Sequence, residues 1–260
     1  MSDTAFYADV LLPATTFLEG YDFARAYGPI NLELVRPVVD AVGEARSNAD
    51  VFGDLMEHVG VREESDPRGE LEEMLDVLAR LPESIGTELK AAGGATPPFG
   101  GRPVQFRDVW PLTPDGKVNL FSEALDAEAP AGLYGYQPDP GTEAYPLALI
   151  SPASERSVSS TLAELPRPDV RLLMHPADAA ARHLEEGDSV RVFSPLGEVR
   201  CHVTIGGWIR TGTVSLPKGL WRRHTTNGYT ANALAPDTLT DIGGGACFND
   251  ARVQVEKITN

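Results

Sequence analysis

The chain has 260 residues, enough to bury a sizeable core in one large or two modest domains. Hydrophobic residues make up 42% and charged residues 23%, and apolar runs are only a few residues long, so insertion into a membrane as a helix is not expected. The formal net charge of −16 works against the phosphate attraction on which nucleic-acid binding rests, and nucleic acid is excluded as a partner.

The first element is Val10-Leu11-Leu12-Pro13, an apolar run stopped by Pro, which reads as a buried strand. Ser47-Asn48-Ala49-Asp50 carries a helix start. Val51, Phe52, Leu55, Met56 and Val59 follow on one face, and Gly60 is the stop. A second helix is predicted over Glu70–Leu81, where Leu71, Met74, Leu75 and Leu78 keep helical spacing. Residues 65–69 and 93–101 are loops by their Pro and Gly content. Residues 126–144, again rich in Pro, Gly and acids, read as a linker.

From Tyr145 the pattern changes to strands. Leu147–Ser151 is an apolar run ending in Ser-Pro. His175-Pro176-Ala177-Asp178 opens a short helix, with Gly187 beyond its end. Ser189–Ser194 and Glu198–Ile205 flank Pro195-Leu196-Gly197 as a hairpin. In the second arm Val199, Cys201, Val203 and Ile205 alternate with Glu198, Arg200, His202 and Thr204, so one face is buried. Val214/Leu216 and Val253/Val255 bring the set to about five short strands, which fits a compact barrel or sandwich.

Charge is unevenly placed. Residues 1–145 hold 10 Lys+Arg and 26 Asp+Glu and carry the whole net charge, whereas residues 146–260 hold 12 of each. Between Glu198 and Asp237 there is no carboxylate, yet Arg200, Arg210, Lys218, Arg222 and Arg223 fall there. An anionic ligand would meet least repulsion in that window; a basic surface strand would have the same composition.

Two stretches could lie against such a ligand. The loop from Ser151 to Thr161 follows a buried strand and offers small side chains and backbone N–H groups for a pyrophosphate or the donor and acceptor edge of a heterocycle; a solvated Ser-rich loop reads the same way. Lys218, Trp221, Arg222, Arg223, His224 and Asn227 supply an aromatic wall and phosphate-binding forks. Equally, Trp221 could pack in the core with both Arg in water. Asn232 and Asp237 could read a purine edge or serve as turn and cap residues, and Gly243-Gly244-Gly245 permits close approach to a ligand or a tight turn. The five histidines have no metal-ligand spacing, and no residue reads as a nucleophile or general base. Cys201 and Cys247 cannot form a Cys-x-x-Cys metal site. Read as free thiols, with no secretory signal in the opening residues, they set a cytoplasmic expectation.

Three separated segments resemble the molybdopterin oxidoreductases, the family that includes formate dehydrogenases and periplasmic nitrate reductases. Asp3-Thr4-Ala5 followed by Ala8-Asp9-Val10-Leu11-Leu12-Pro13-Ala14-Thr15-Thr16-Phe17-Leu18-Glu19, continued by Tyr27-Gly28 and Gly43-Glu44-Ala45-Arg46-Ser47-Asn48, is similar to a strand, loop and helix start of that family. Thr113-Pro114-Asp115-Gly116-Lys117 resembles the element ahead of its last domain. His175-Pro176-Ala177-Asp178-Ala179, Gly187-Asp188-Ser189-Val190 and Gly197-Glu198-Val199 resemble that last domain itself.

The resemblance implies a mixed α/β fragment followed by a double-psi β-barrel of the aspartate-decarboxylase type. Residues 1–64 would be the remnant of an α/β domain, 65–145 an irregular connecting region with one or two helices, and 146–260 the dinucleotide-binding barrel. It further implies molybdopterin guanine dinucleotide as cofactor, with Mo or W carried by the complete enzyme and no tight binding to this piece. Ser151, Ala153, Ser154, Glu155, Arg156, Ser157, Ser159, Thr161, Trp221, Arg222, Arg223, His224, Asn227, Asn232, Asp237, Phe248 and Asn249 would face it. No catalytic residue or metal ligand is expected here, because the family's metal-ligand region has no counterpart in this sequence. The chain then reads as a C-terminal part, inactive alone, whose partner is the remaining part of the enzyme or another subunit. The other reading is a free-standing barrel that binds a nucleotide or a protein without molybdenum.

Overall fold

The structure, a computed structural model, describes residues 2–25, 31–96, 104–129, 131–136, 138, 141–153, 159–161, 165, 169–240 and 242–259. It divides into two units, one of Asp9–Leu120 and one of Met1–Ala8 with Phe121–Asn260.

In the unit of Asp9–Leu120, Asp22–Arg25 (β1), Leu32–Val35 (β2) and Gly94–Ala95 (β3) pair antiparallel in that order, Phe23 opposite Leu34 and Leu32 opposite Ala95. The helices are Asn48–Val59 (α1), Glu70–Arg80 (α2) and Glu83–Ala92 (α3). Ser47 Oγ accepts the Asp50 N–H at 3.0 Å and Gly60 closes α1 with φ 72°, the two caps that the sequence implies. Met74 and Leu78 of α2, Ile85 and Leu89 of α3, Leu34 and Ala95 form the core of this unit. Gly86 lets the two helices meet: a β-carbon there would lie 2.9 Å from the Leu78 carbonyl oxygen.

Two features differ from the sequence reading. The expected divide at residue 64 is not where the units part, because α2 and α3 cover the sheet with their apolar stripes and so belong with residues 9–64. The run Val10–Pro13 is not a strand. Val10 and Leu12 are 73% and 60% exposed, and nearby only Ala14 makes a β-bridge, to Arg46. Apolar residues extend into a strand only when another edge takes up their N–H and C=O groups.

The second unit begins with Asp3 and the 3-10 turn Thr4–Tyr7, and resumes with Glu123–Glu128 (α4), capped by Ser122. Leu147–Ile150 (β4), Arg171–Met174 (β5), Pro176–Ala180 (α5), Ser189–Phe193 (β6), Glu198–Ile205 (β7), Thr213–Ser215 (β8) and Ala251–Lys257 (β9) follow. The strands close in the order β4-β8-β5-β7-β6-β9. Two parallel pairs, β4–β8 and β5–β7, sit among antiparallel neighbours, and the fold is a double-psi barrel. The period-two face of β7 is inward, with Val199 and Val203 fully buried beside Leu172, Val190, Val192, Val214, Leu216 and Val253.

The barrel has six strands where the sequence shows about five. The missing one is β5, Arg-Leu-Leu-Met, which is too short and too uniformly apolar to display a period, yet bridges β7 and β8 at the centre of the closure. No helix among the described residues is long and apolar enough to cross a membrane.

Candidate functional site

Strand direction gathers the candidate segments at one end of the barrel. β4 and β8 are parallel and end together, Ile150 beside Ser215. β9 runs against β4 with Ala251 beside Leu149, so the residues entering β9 come to the same end. β8 runs against β5, and β7 runs with β5, so β7 also starts there.

Main-chain bonds then lace the loops together. The Leu216 N–H donates to Ile150 O at 3.1 Å and the Lys218 N–H to Pro152 O at 3.1 Å. The Trp221 Nε1–H donates to Ser160 O at 3.0 Å. Gly219, at φ 75°, passes so close to Ser159 that a side chain there has no room. Ser151, buried, donates its N–H to Asn249 Oδ1 at 3.1 Å, which ties the exit of β4 to the entry of β9. The described parts of the loop Ser151–Thr161 and the segment from Lys218 thus share one face. Ala153, Ser159 and Thr161 are exposed on it. Ser154, Glu155, Arg156 and Ser157 lie outside the described residues.

Trp221 is half-buried and not a core side chain. The Arg223 guanidinium carbon sits 4.8 Å from its ring centroid, a cation–π contact. His224 turns back on the same residue, its Nδ1 accepting the Trp221 N–H at 3.0 Å. Arg222 is engaged by groups the sequence reading did not consider. Its N–H donates to Asp3 Oδ2 at 2.7 Å, its guanidinium donates through Nη1 to the Tyr7 hydroxyl and through Nε to Gly228 O at 3.2 Å. Asp3, Phe6, Tyr7, Trp221, Arg222 and Arg223 line a cleft of about 350 Å³. A carboxylate from position 3 therefore enters the window that holds none of its own. No local signal in the sequence connects residues 219 positions apart.

Other candidates take different parts. Asn227 spends both ends of its amide on β7: Oδ1 accepts the Arg200 N–H at 3.0 Å and Nδ2 donates to Glu198 O at 3.1 Å. That arrangement ties Asn227 to the main chain at the start of β7. Asn232 is exposed on the 3-10 turn Ala231–Ala233, between buried Ala231 and Leu234, and its neighbour Ala233 rests against Gly197 of the hairpin turn. Asp237 and Phe248 are exposed at the same end. Gly243-Gly244-Gly245 makes a tight turn: Thr240 donates its N–H to Gly245 O at 2.8 Å and accepts the Gly245 N–H on Oγ1 at 2.9 Å.

Among the described residues, no three His, Cys, Asp or Glu side chains gather to hold a metal. Both cysteines are free thiols, and burial pushes the Cys201 thiol up to about 12, far from the thiolate needed for nucleophilic or ligand chemistry. Among the described residues, the end of the barrel offers a flat indole, cationic forks and backbone groups.

Residues 147–252 match the family described as Molydopterin dinucleotide binding domain, and residues 1–58 match that described as Molybdopterin oxidoreductase. The Probable oxidoreductase YoaE of Bacillus subtilis (strain 168) is 28% identical over 99% of this chain and 39% of its own length. The Trimethylamine-N-oxide reductase of Haemophilus influenzae is 28% identical over 98% of this chain and 37% of its own. Acetylene Hydratase from Pelobacter acetylenicus shares the fold, with a TM-score of 0.74 at 20% identity over 99% of this chain and 39% of its own. The chain spans under two fifths of the length of each of these proteins. Residues 147–252 thus carry a molybdopterin dinucleotide-binding domain, and residues 1–58 match part of a molybdopterin oxidoreductase domain.

Proposed function

From these matches we propose that the laced end of the barrel holds molybdopterin guanine dinucleotide within a larger Mo or W oxidoreductase, and that this chain contributes recognition without the reaction. The observation that carries the reading is the meeting of two separated loops, through Lys218 to Pro152 and Trp221 to Ser160, beside Arg222 and Arg223. The residues fit such a group. Trp221 offers a flat face, the two guanidiniums offer forks for phosphate oxygens, and Gly219 keeps the main chain free of side-chain bulk. When bound, the pterin and its metal would supply two-electron redox chemistry. The residues here would orient the dinucleotide and exclude water from it.

The names of relatives bear on the complete enzyme. Trimethylamine-N-oxide and dimethyl sulfoxide reductases among them favour an oxide-reducing enzyme over a formate dehydrogenase or a nitrate reductase. Its remaining part would cover the unit of Asp9–Leu120, where Val10, Leu11, Leu12 and Phe17 stand exposed. Two free thiols accord with the reducing cytoplasm, and the chain alone should hold the dinucleotide only weakly.

GDP carries the guanine and the diphosphate, and titration of the full chain with it, read by tryptophan fluorescence, tests the reading. Saturable binding that falls when Arg222 and Arg223 are both replaced by Ala is expected. Absence of saturable binding, together with no pterin retained by the chain when it is produced in cells that make molybdopterin, would overturn it.

A further inference from the structure

We propose that the segment Asp3–Tyr7 competes in cis for the anion site of the barrel, sitting on Arg222 until a phosphate-bearing ligand displaces it. The proposal rests on the reading that this cleft takes the dinucleotide, and goes beyond it by assigning residues that gate entry. One residue is engaged twice: the Arg222 N–H donates to the Asp3 carboxylate at 2.7 Å, and its guanidinium donates to the Tyr7 hydroxyl. These are the donors that an incoming phosphate oxygen would use. The bond from Nε to Gly228 O at 3.2 Å fixes the plane of the guanidinium, so it cannot turn freely to serve both partners.

Charge argues for exclusion. Positions 199–236 hold no carboxylate, and Asp3 brings one in from outside. A phosphate and Asp3 on the same N–H would repel each other, so the two states are alternatives. The segment is also built to leave. Phe6 and Tyr7 are 72% and 75% exposed, and no residue of the turn Thr4–Tyr7 is buried, so release uncovers little apolar surface. What release opens is the cleft walled by Phe6, Tyr7 and Trp221 with both arginines.

The test uses the full chain, a double substitution Asp3→Asn with Tyr7→Phe, and two probes, inorganic pyrophosphate and GDP. Both substitutions are conservative, and equal melting temperatures establish that the barrel is intact. Pyrophosphate should bind the variant about five- to tenfold more tightly than the parent, close to the worth of one charge-assisted hydrogen bond exposed to solvent. GDP should follow the same direction. Unchanged or weaker pyrophosphate binding would overturn the gate, as would absence of pyrophosphate binding to both proteins. Tighter pyrophosphate binding without any GDP binding, and with no pterin retained by the chain from molybdopterin-making cells, would leave the gate standing and remove the dinucleotide reading. GDP binding to both proteins, with no gain in the variant for either probe, would do the reverse.

Discussion

Gly219 lies so close to Ser159 that a β-carbon at position 219 would collide with the Ser159 carbonyl oxygen. The contact joins the exit of β8 to the loop after β4, and Gly219 adopts φ 75° to make it. Only glycine satisfies both demands. Replacement by Ala should destabilise the barrel by roughly 2–4 kcal/mol, from the left-handed backbone and the collision together. Urea unfolding measures it, and a loss below about 0.5 kcal/mol, the level of an ordinary surface change, would mean the two loops are not in contact.

Replacing Arg222 and Arg223 together by Ala should weaken GDP binding by roughly 2–4 kcal/mol, if each makes a charge-assisted bond and the two are not fully additive. The parent's affinity should also fall with added salt, because both side chains are exposed. Equal affinities at low salt would remove both residues from the site.

The barrel should fold without the unit of Asp9–Leu120. Every residue of its core cluster falls between Leu147 and Val255, and the strands close on themselves. A chain of residues 142–260 is expected to unfold in one cooperative transition. A broad, non-cooperative melt, beside a sharp one for the full chain, would show that the barrel depends on what precedes it.

Acid should weaken one tie of the barrel. The Lys257 ammonium at 2.8 Å, and then the Glu185 N–H, hold the Asp188 carboxyl below its ordinary range. A carboxylate whose pKa is depressed on folding stabilises the fold above its unfolded pKa, and loses that contribution as pH falls through the folded value. The melting temperature of Asp188→Asn should therefore lie below that of the parent at neutral pH. The gap should close as pH drops through and below the carboxylate range, and a gap that persisted at the acid end would assign the effect to packing.

The chain should show no turnover of an N-oxide, a sulfoxide, nitrate or formate by itself. Sustained metal-dependent turnover by the purified chain would contradict the assignment of recognition without reaction.

The amino-acid sequence by itself determined what local rules control. Ser47 and Gly60 bracket α1 because a hydroxyl cap and a left-handed glycine act within one turn of chain. β7 is legible because alternation of Val199, Cys201 and Val203 with polar neighbours is enough to set its faces. The likeness of three ordered segments to one family carried the barrel and the class of ligand. Tertiary structure alone decided the rest. β5 is a strand because β7 and β8 flank it, and Val10–Pro13 is not one because, among the described residues, only its last residue meets another segment, Pro13 O accepting the Arg46 N–H. Asn227 meets the main chain of β7 at Glu198 and Arg200, a pairing that only the closed fold brings about. Asp3 and Tyr7 reach Arg222 only through closure of the fold, since hydrogen bonds depend on distance in space and the sequence records only distance along the chain.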